Sequence, residues 1–124
     1  MYCVQRIYDF HALPVHTAAV FVDRLYPRGV PKERMADVLW LKEITPSVAL
    51  RRWYHEAPDE RFEAFSQRYL EELQGAEEQA ALGRLKDLAR ANKTVLLLTA
   101  VKNPQQSHVS VLLDYLGEPF VLAH

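Results

Sequence analysis

The chain has 124 residues, of which 49% are hydrophobic and 25% are charged. A chain of this length is expected to form a single domain over residues 1–124 that buries roughly two thirds of its unfolded surface. Fifteen basic and sixteen acidic residues give a formal net charge of -1, which argues against a nucleic-acid binder that works through bulk charge.

The first part of the chain predicts two strands and a charged loop. Residues Tyr2 to Tyr8 have the β-branched side chains of a strand, and Val20 to Val22 form a second one. The short connection leaves open whether these two strands are antiparallel or are joined by a loop. Since Pro27 and Gly29 cannot continue the second strand, the charges of Asp23 to Gly29 lie just past its carboxyl end.

The middle of the chain predicts three helices. Thr45 followed by Pro46 is a typical helix start, because threonine caps free amide groups and proline suits the first helical position. That helix should end before Pro58, which opens a second helix with an aromatic stripe that ends at Gly75. The third helix runs roughly from Glu77 to Ala91.

The last part of the chain predicts a central strand and a final helix. Val95 to Leu98 is a continuous apolar run, typical of a strand covered on both faces. A helix follows from roughly Gln105 to Leu116, and Pro119 to Leu122 is a candidate edge strand. Only Val38 to Lys42 stays unassigned, as a helix end or a short strand. The alternation predicts an α/β fold with a mostly parallel central sheet and helices on both faces.

Two predicted strands end in polar loops, Asp23 to Gly29 and Thr99 to His108. If these strands are parallel, the loops meet at the edge of the sheet where open α/β sheets bind ligands. The loops contribute four candidate contacts: Arg24, Arg28, Lys102 and His108. Guanidinium groups and the free amides of a helix start favour an oxyanion, so the pattern predicts a site for a phosphate or a carboxylate.

At these loops the chain resembles the domain-of-unknown-function family 488, in its YeaO-like branch. The family's Val-Asp-Arg-Leu-Trp-Pro-Arg-Gly motif is specific and matches Val22 to Gly29. Three further motifs extend the resemblance over nearly the whole chain: Trp40 to Ser47, Arg51 to Tyr54 and Val101 to His108. The resemblance implies a Rossmann-like layered fold in a small bacterial cytoplasmic protein, and it implies no known reaction.

The chain departs from the family pattern at three positions. Asn103 stands where the family tends to have aspartate, Ser107 where it tends to have asparagine, and Tyr26 where it has tryptophan. An amide cannot accept a proton as a carboxylate does. If that aspartate is an acid or base elsewhere in the family, this member binds a ligand through Asn103 and its neighbours without turnover.

The candidate residues keep structural alternatives. Asp23 and His108 are the candidate acid and base of an enzyme, yet Asp23 can instead pair with Arg24, and His108 can cap its helix. Lys42 and Arg51 are candidate ligand contacts at the rim of the site, or ordinary solvated charges.

The leading hypothesis is an α/β protein that binds a phosphate-like or nucleotide-like anion in a cleft. One alternative is a hydrolase or transferase acting on a phosphorylated, glycosidic or nucleotide substrate. Another is a partner-binding module that uses exposed aromatic side chains, namely Trp40, Trp53 and Tyr54. The oligomeric state is left open.

Other classes of function have no support in the sequence. The single Cys3 excludes an internal disulfide and an all-cysteine metal site, the histidines lack metal-ligand spacing, and no Gly-rich phosphate loop or nucleophile elbow is present. No apolar run approaches the roughly 18 residues that span a bilayer. We therefore expect a cytoplasmic protein with no metal, no cofactor and no membrane partner.

Overall fold

A computed structural model describes residues 1–123, in which three strands are followed by three α-helices, a fourth strand and a fourth α-helix. The strands are β1 (Tyr2–Arg6), β2 (Thr17–Phe21), β3 (Val38–Trp40) and β4 (Thr94–Thr99). The α-helices are α1 (Val48–Glu56), α2 (Pro58–Glu72), α3 (Ala76–Ala91) and α4 (His108–Leu116). No helix within residues 1–123 has both the length and the apolar character needed to cross a membrane.

The four strands form one parallel sheet in the order β1-β4-β2-β3. The apolar strand β4 is central, and its Leu97 lies between Val4 of β1 and Val20 of β2. The predicted α/β class and the parallel pairing of β2 with β4 are therefore confirmed. The open question about the first two strands is also answered, because β4 lies between β1 and β2 and both run parallel to it.

The two faces of the sheet carry different covers. The α-helices contribute to one hydrophobic cluster, which includes Leu50, Tyr69, Leu82 and Leu112. The cluster on the other face is built from strand residues together with loop side chains such as Val30, and among the described residues it contains none from α1 to α4.

The prediction of helices on both faces is therefore wrong for the second face, which loops and short 3₁₀ turns cover instead. Only residues 7–16 join β1 to β2, and residues 22–37 join β2 to β3. A parallel crossover through an α-helix needs a dozen or more residues free of helix breakers. Pro14, Pro27, Gly29 and Pro31 interrupt both connections.

Two predicted helix starts lie too early. The hydroxyl of Ser47, not Thr45, accepts a hydrogen bond from the backbone N–H of Leu50, so α1 begins at Val48. Serine competes well for this position because its short hydroxyl reaches the free amides. Similarly, Ser107 caps α4, which begins at His108. The residues before Ser107, where this helix was predicted to begin, form a 3₁₀ turn, Pro104–Gln106.

The predicted edge strand at Pro119 to Leu122 is reduced to a single parallel bridge between Val4 and Leu122. The N–H of Val4 donates to the oxygen of Val121 at 2.7 Å, and the N–H of Ala123 donates to the oxygen of Val4 at 2.8 Å. Proline lacks the donor that a longer ladder would need.

Tyr69 connects three segments that surround the predicted site. It is completely buried on α2, and its hydroxyl donates a hydrogen bond to the carbonyl of Ile44, just before α1. Its ring meets the ring of His108 edge-on, with the centroids 6.3 Å apart. Burial raises the pKa of this hydroxyl, so it stays protonated and remains a donor.

We predict that Tyr69→Phe lowers the free energy of unfolding by about 1–3 kcal/mol, because it leaves the buried Ile44 carbonyl without its donor. Chemical denaturation measures the change. The matched control is Tyr115→Phe, whose hydroxyl bonds Gln79 at the surface and should change stability by less than about 0.5 kcal/mol. Equal effects of the two variants would contradict the assigned role.

Candidate functional site

A cavity of about 450 Å³ opens at the carboxyl edge of the sheet, where β2 and β4 end. Its walls are the loops after these strands, the second half of α1 with Tyr54 and His55, Phe65 on α2 and the start of α4. Seven of the eight predicted site residues line it: Asp23, Arg24, Arg28, Arg51, Lys102, Asn103 and His108. The parallel sheet thus brings the two polar loops together.

Asp23 lies at the floor of this cavity and joins the ends of two strands. Its Oδ1 accepts a hydrogen bond from the hydroxyl of Thr99 at 2.7 Å, and its Oδ2 accepts one from the N–H of Ala100 at 2.7 Å. The Nε2 atom of His108 lies 3.2 Å from Oδ1. Only 14% of the Asp23 side chain is exposed, so the carboxylate is engaged within the protein.

His108 is oriented by the same strand end. Its Nε2 lies 2.6 Å from the carbonyl oxygen of Val22. Because a carbonyl only accepts, Nε2 carries the proton and Nδ1 is the nitrogen that can exchange one. The same Nε2 atom lies 3.2 Å from the Asp23 carboxylate, so the predicted acid and base contact each other at the end of β2.

The environment of Asp23 favours its ionised form. Burial opposes ionisation, but the hydrogen bond and charge of His108 and the donors of Ala100 and Thr99 outweigh it. The pKa of the Asp23 carboxyl therefore lies below its ordinary value of 3.8.

The predicted alternative that Asp23 pairs with Arg24 is wrong. The guanidinium of Arg24 instead donates from Nε to the carbonyl of Pro46 at 3.2 Å, and from Nη2 to the carbonyl of Thr45 at 2.9 Å. These bonds attach the loop after β2 to the segment before α1. Arg24 lines the cavity, yet two of its donors are used by the protein.

The loop that carries Arg28 is fixed by two tyrosine hydroxyls. Tyr8 donates to the carbonyl of Arg28 at 3.1 Å, and Tyr26 donates to the carbonyl of Val30 at 2.9 Å. Gly29 lies between them at a φ of 77°, a conformation that glycine adopts without strain. The Arg28 side chain is exposed at the cavity, with no hydrogen bond to any other described residue.

Helix α1 supplies a wall that was only partly predicted. Arg51 and His55 lie four residues apart and so face the same side, and the Tyr54 ring stacks on Phe65 with centroids 4.3 Å apart. Burial, followed by the charges of Arg51 and His108, lowers the pKa of His55 below its ordinary value of 6.5. The sequence signal for this wall is the four-residue spacing from Arg51.

Lys42 does not line the cavity. Its ammonium nitrogen lies 4.2 Å from the centroid of the Trp40 ring, so the structure places it outside the site, where a rim contact was predicted. Its position follows from the 3₁₀ turn Lys42–Ile44, which turns the chain away after β3.

The aromatic residues of the partner-binding alternative do not form an exposed patch. The Trp40 ring is half-buried and meets Phe21 and Tyr26 edge-on. Arg61 and Arg68 cover the Trp53 ring, with their guanidinium carbons 4.7 and 4.0 Å from its centroid.

The parallel sheet, with Asp23 and Arg24 in the loop at its carboxyl edge, makes this an α/β protein with a candidate binding site at its strand ends. The chain belongs to the family described as the inactive DUF488-N3 subclade, whose model matches residues 1–122. This result confirms the resemblance drawn from the sequence motifs.

Two bacterial relatives cover most of the chain. The uncharacterized protein YeaO of Escherichia coli K12 is 43% identical over 98 residues, which are 78% of this chain and 81% of YeaO. The uncharacterized protein Rv3073c of Mycobacterium tuberculosis H37Rv is 38% identical over 114 residues, or 92% of each chain. No solved structure matches the chain significantly.

We predict that Asp23→Asn lowers stability at neutral pH by about 1.5–3 kcal/mol, the contribution of one hydrogen bond to a charged group. Because the folded-state pKa of Asp23 is lowered, its stabilising effect is complete above its ordinary value of 3.8 and is lost as the pH falls through the lowered value. Denaturant unfolding of both proteins from pH 7 to pH 2 measures the difference, which should shrink below about pH 4.

The matched control is Asp114→Asn, an exposed carboxylate on α4. Its effect on stability should stay within about 0.5 kcal/mol. A difference between the wild type and Asp23→Asn that is independent of pH would show that the charge of Asp23 is unimportant.

Proposed function

We propose that the chain binds an anionic small molecule, of the phosphate or nucleotide type, in the cavity and does not turn it over. The supporting observation is the charge of the lining. Four cationic residues and a single carboxylate, Asp23, line the cavity, although the whole chain has a net charge of -1. An enclosed concentration of one sign of charge attracts the opposite sign from solution.

The absence of protein partners, among the described residues, for several of these cationic side chains supports an anionic ligand more strongly than the number of charges does. The Nε and Nη2 atoms of Arg24 donate to carbonyls of the protein, and both oxygens of Asp23 accept hydrogen bonds from it. The side chains of Arg28, Arg51 and Lys102 make no hydrogen bond or ion pair to another residue in the described part of the chain, so their donors are free for a ligand. Planar guanidinium groups bind phosphate and carboxylate oxygens through two hydrogen bonds.

Three observations support binding without catalysis. Both oxygens of Asp23 are occupied, and the protonated nitrogen of His108 points at a carbonyl. Asn103 carries an amide at the position where the family tends to have a carboxylate, and an amide cannot exchange a proton. The family model itself describes its subclade as inactive.

We predict that Arg51→Ala weakens the binding of inorganic phosphate at least about tenfold, because a charge-assisted contact contributes more than 1.4 kcal/mol. Calorimetric titration of the folded protein measures the change. The control is Arg52→Ala on the same helix, whose side chain is exposed outside the cavity lining. Arg28→Ala should weaken binding in the same way, without lowering the melting temperature by many degrees.

These variants separate binding from folding. Equal phosphate affinities for Arg51→Ala, Arg52→Ala and the wild type would overturn the proposed function. A large fall in melting temperature for Arg28→Ala would assign that residue to the fold instead.

We predict that the wild type does not hydrolyse phosphorylated or nucleotide substrates above the buffer rate. A positioned acid or base contributes about 10²–10⁴-fold to a rate, so its loss explains an inactive binder. Asn103→Asp restores the carboxylate, and both forms are assayed for turnover and binding separately. Turnover that appears only in Asn103→Asp supports a binder that has lost its acid, whereas wild-type turnover abolished by Asp23→Asn would overturn the proposal.

A further inference from the structure

Two tyrosines and a leucine are exposed at the cavity. Tyr8, Leu25 and Tyr26 line the cavity while 36%, 59% and 44% of their surface is exposed. Large apolar side chains that remain in contact with water around a concave site commonly mark where a ligand is covered.

The two tyrosines present their rings because their hydroxyls are held elsewhere. The Tyr8 hydroxyl donates to the carbonyl of Arg28 and the Tyr26 hydroxyl to the carbonyl of Val30. The Arg6 guanidinium lies 5.2 Å from the Tyr8 ring centroid, and Trp40 meets Tyr26 edge-on at 6.0 Å. The ring positions are therefore set before any ligand arrives, which lowers the entropic cost of stacking.

The same loop carries a free cation beside these rings. Arg28 follows Tyr26 by two residues, and its own carbonyl receives the Tyr8 hydroxyl. One ligand can therefore place an anionic group on Arg28 and a planar ring against the tyrosines. A sugar phosphate or an inorganic anion would leave both rings in water.

The size of the cavity also exceeds the need of a simple anion. The four oxygens of a phosphate take the space of about four water molecules, which occupy roughly 120 Å³ in the liquid at about 30 Å³ each. The cavity measures about 450 Å³. The remaining space accommodates an organic group attached to the anion.

From this juxtaposition we infer that the ligand is a phosphate monoester carrying an aromatic ring, with the chemistry of a nucleoside monophosphate, and that the tyrosine pair Tyr8 and Tyr26 binds the ring. This inference rests on the proposed function, since Arg28, Arg51 and Lys102 must first hold the phosphate.

The test compares four probes on the intact protein by calorimetric titration: inorganic phosphate, ribose 5-phosphate, AMP and adenosine. The phosphate is common to the first three, so the ring is isolated by comparing AMP with ribose 5-phosphate. AMP should bind about tenfold more tightly, the gain typical of one base stacked on an aromatic side chain. Adenosine, which lacks the anion, should bind more weakly than AMP by at least a similar factor.

Substitutions of the tyrosines locate the ring. Both Tyr26→Leu and Tyr26→Phe lose the hydroxyl bond to Val30, which helps fix the loop of Arg28, so the readout is the ratio of the AMP affinity to the ribose 5-phosphate affinity. Tyr26→Leu should remove most of the roughly tenfold AMP advantage, whereas Tyr26→Phe, which keeps the ring, should retain it within about threefold. Unfolding temperatures establish that both variants are folded, and Tyr8→Leu gives a second, independent removal of a ring.

The outcomes separate the two proposals. If AMP, ribose 5-phosphate and inorganic phosphate bind equally and Arg51→Ala weakens all three, the ring inference is overturned and the anion site stands. If AMP binds more tightly but Tyr26→Leu and Tyr8→Leu leave that advantage intact, the assignment of the ring to these tyrosines is overturned. If none of the phosphates binds, the proposed function itself fails.

Discussion

The ionised carboxylate of Asp23 is the interaction on which the candidate site depends. Its oxygens bind Thr99 and Ala100 at the end of β4, and its backbone carbonyl accepts the indole N–H of Trp40 at 2.6 Å. His108 adds the first residue of α4. A buried charge is tolerated only when donors surround it. Through its side chain and its backbone carbonyl, this one residue connects the ends of three strands and one helix where the cavity opens.

The arginines near the carboxyl edge of the sheet have two different roles. Arg6 donates to the carbonyls of Ala100 and Val101, and Arg24 donates to the carbonyls before α1, so both residues hold loops in place. Arg28 and Arg51 have no such partners among the described residues. The role of each arginine depends on whether backbone carbonyls lie within hydrogen-bond distance of its guanidinium in the folded chain.

A mostly parallel sheet could be predicted because an apolar run and a run of β-forming residues are strong local signals, and the rule for strand ends then brought the loops that carry Asp23 and His108 to one edge. The predictions were wrong where contacts between residues distant in the chain determine the structure. Ser47, and not Thr45, caps the helix, and its hydroxyl also donates to the carboxylate of Glu72, which is 25 residues away in the chain. The partners of Arg24 lie about twenty residues away, so its structural role could not be distinguished from a ligand contact.

The cavity lies on the boundary between the two hydrophobic clusters. Its α1 and α2 wall, with Tyr54 and Phe65, belongs to the helical side, whereas Tyr26 is bonded to Val30 of the loop side. A molecule bound there would touch both sides. Occupancy would then act as a clamp across the rim of the sheet, and ligand at a hundred times its dissociation constant would add about 2.7 kcal/mol to the resistance of the whole molecule to unfolding.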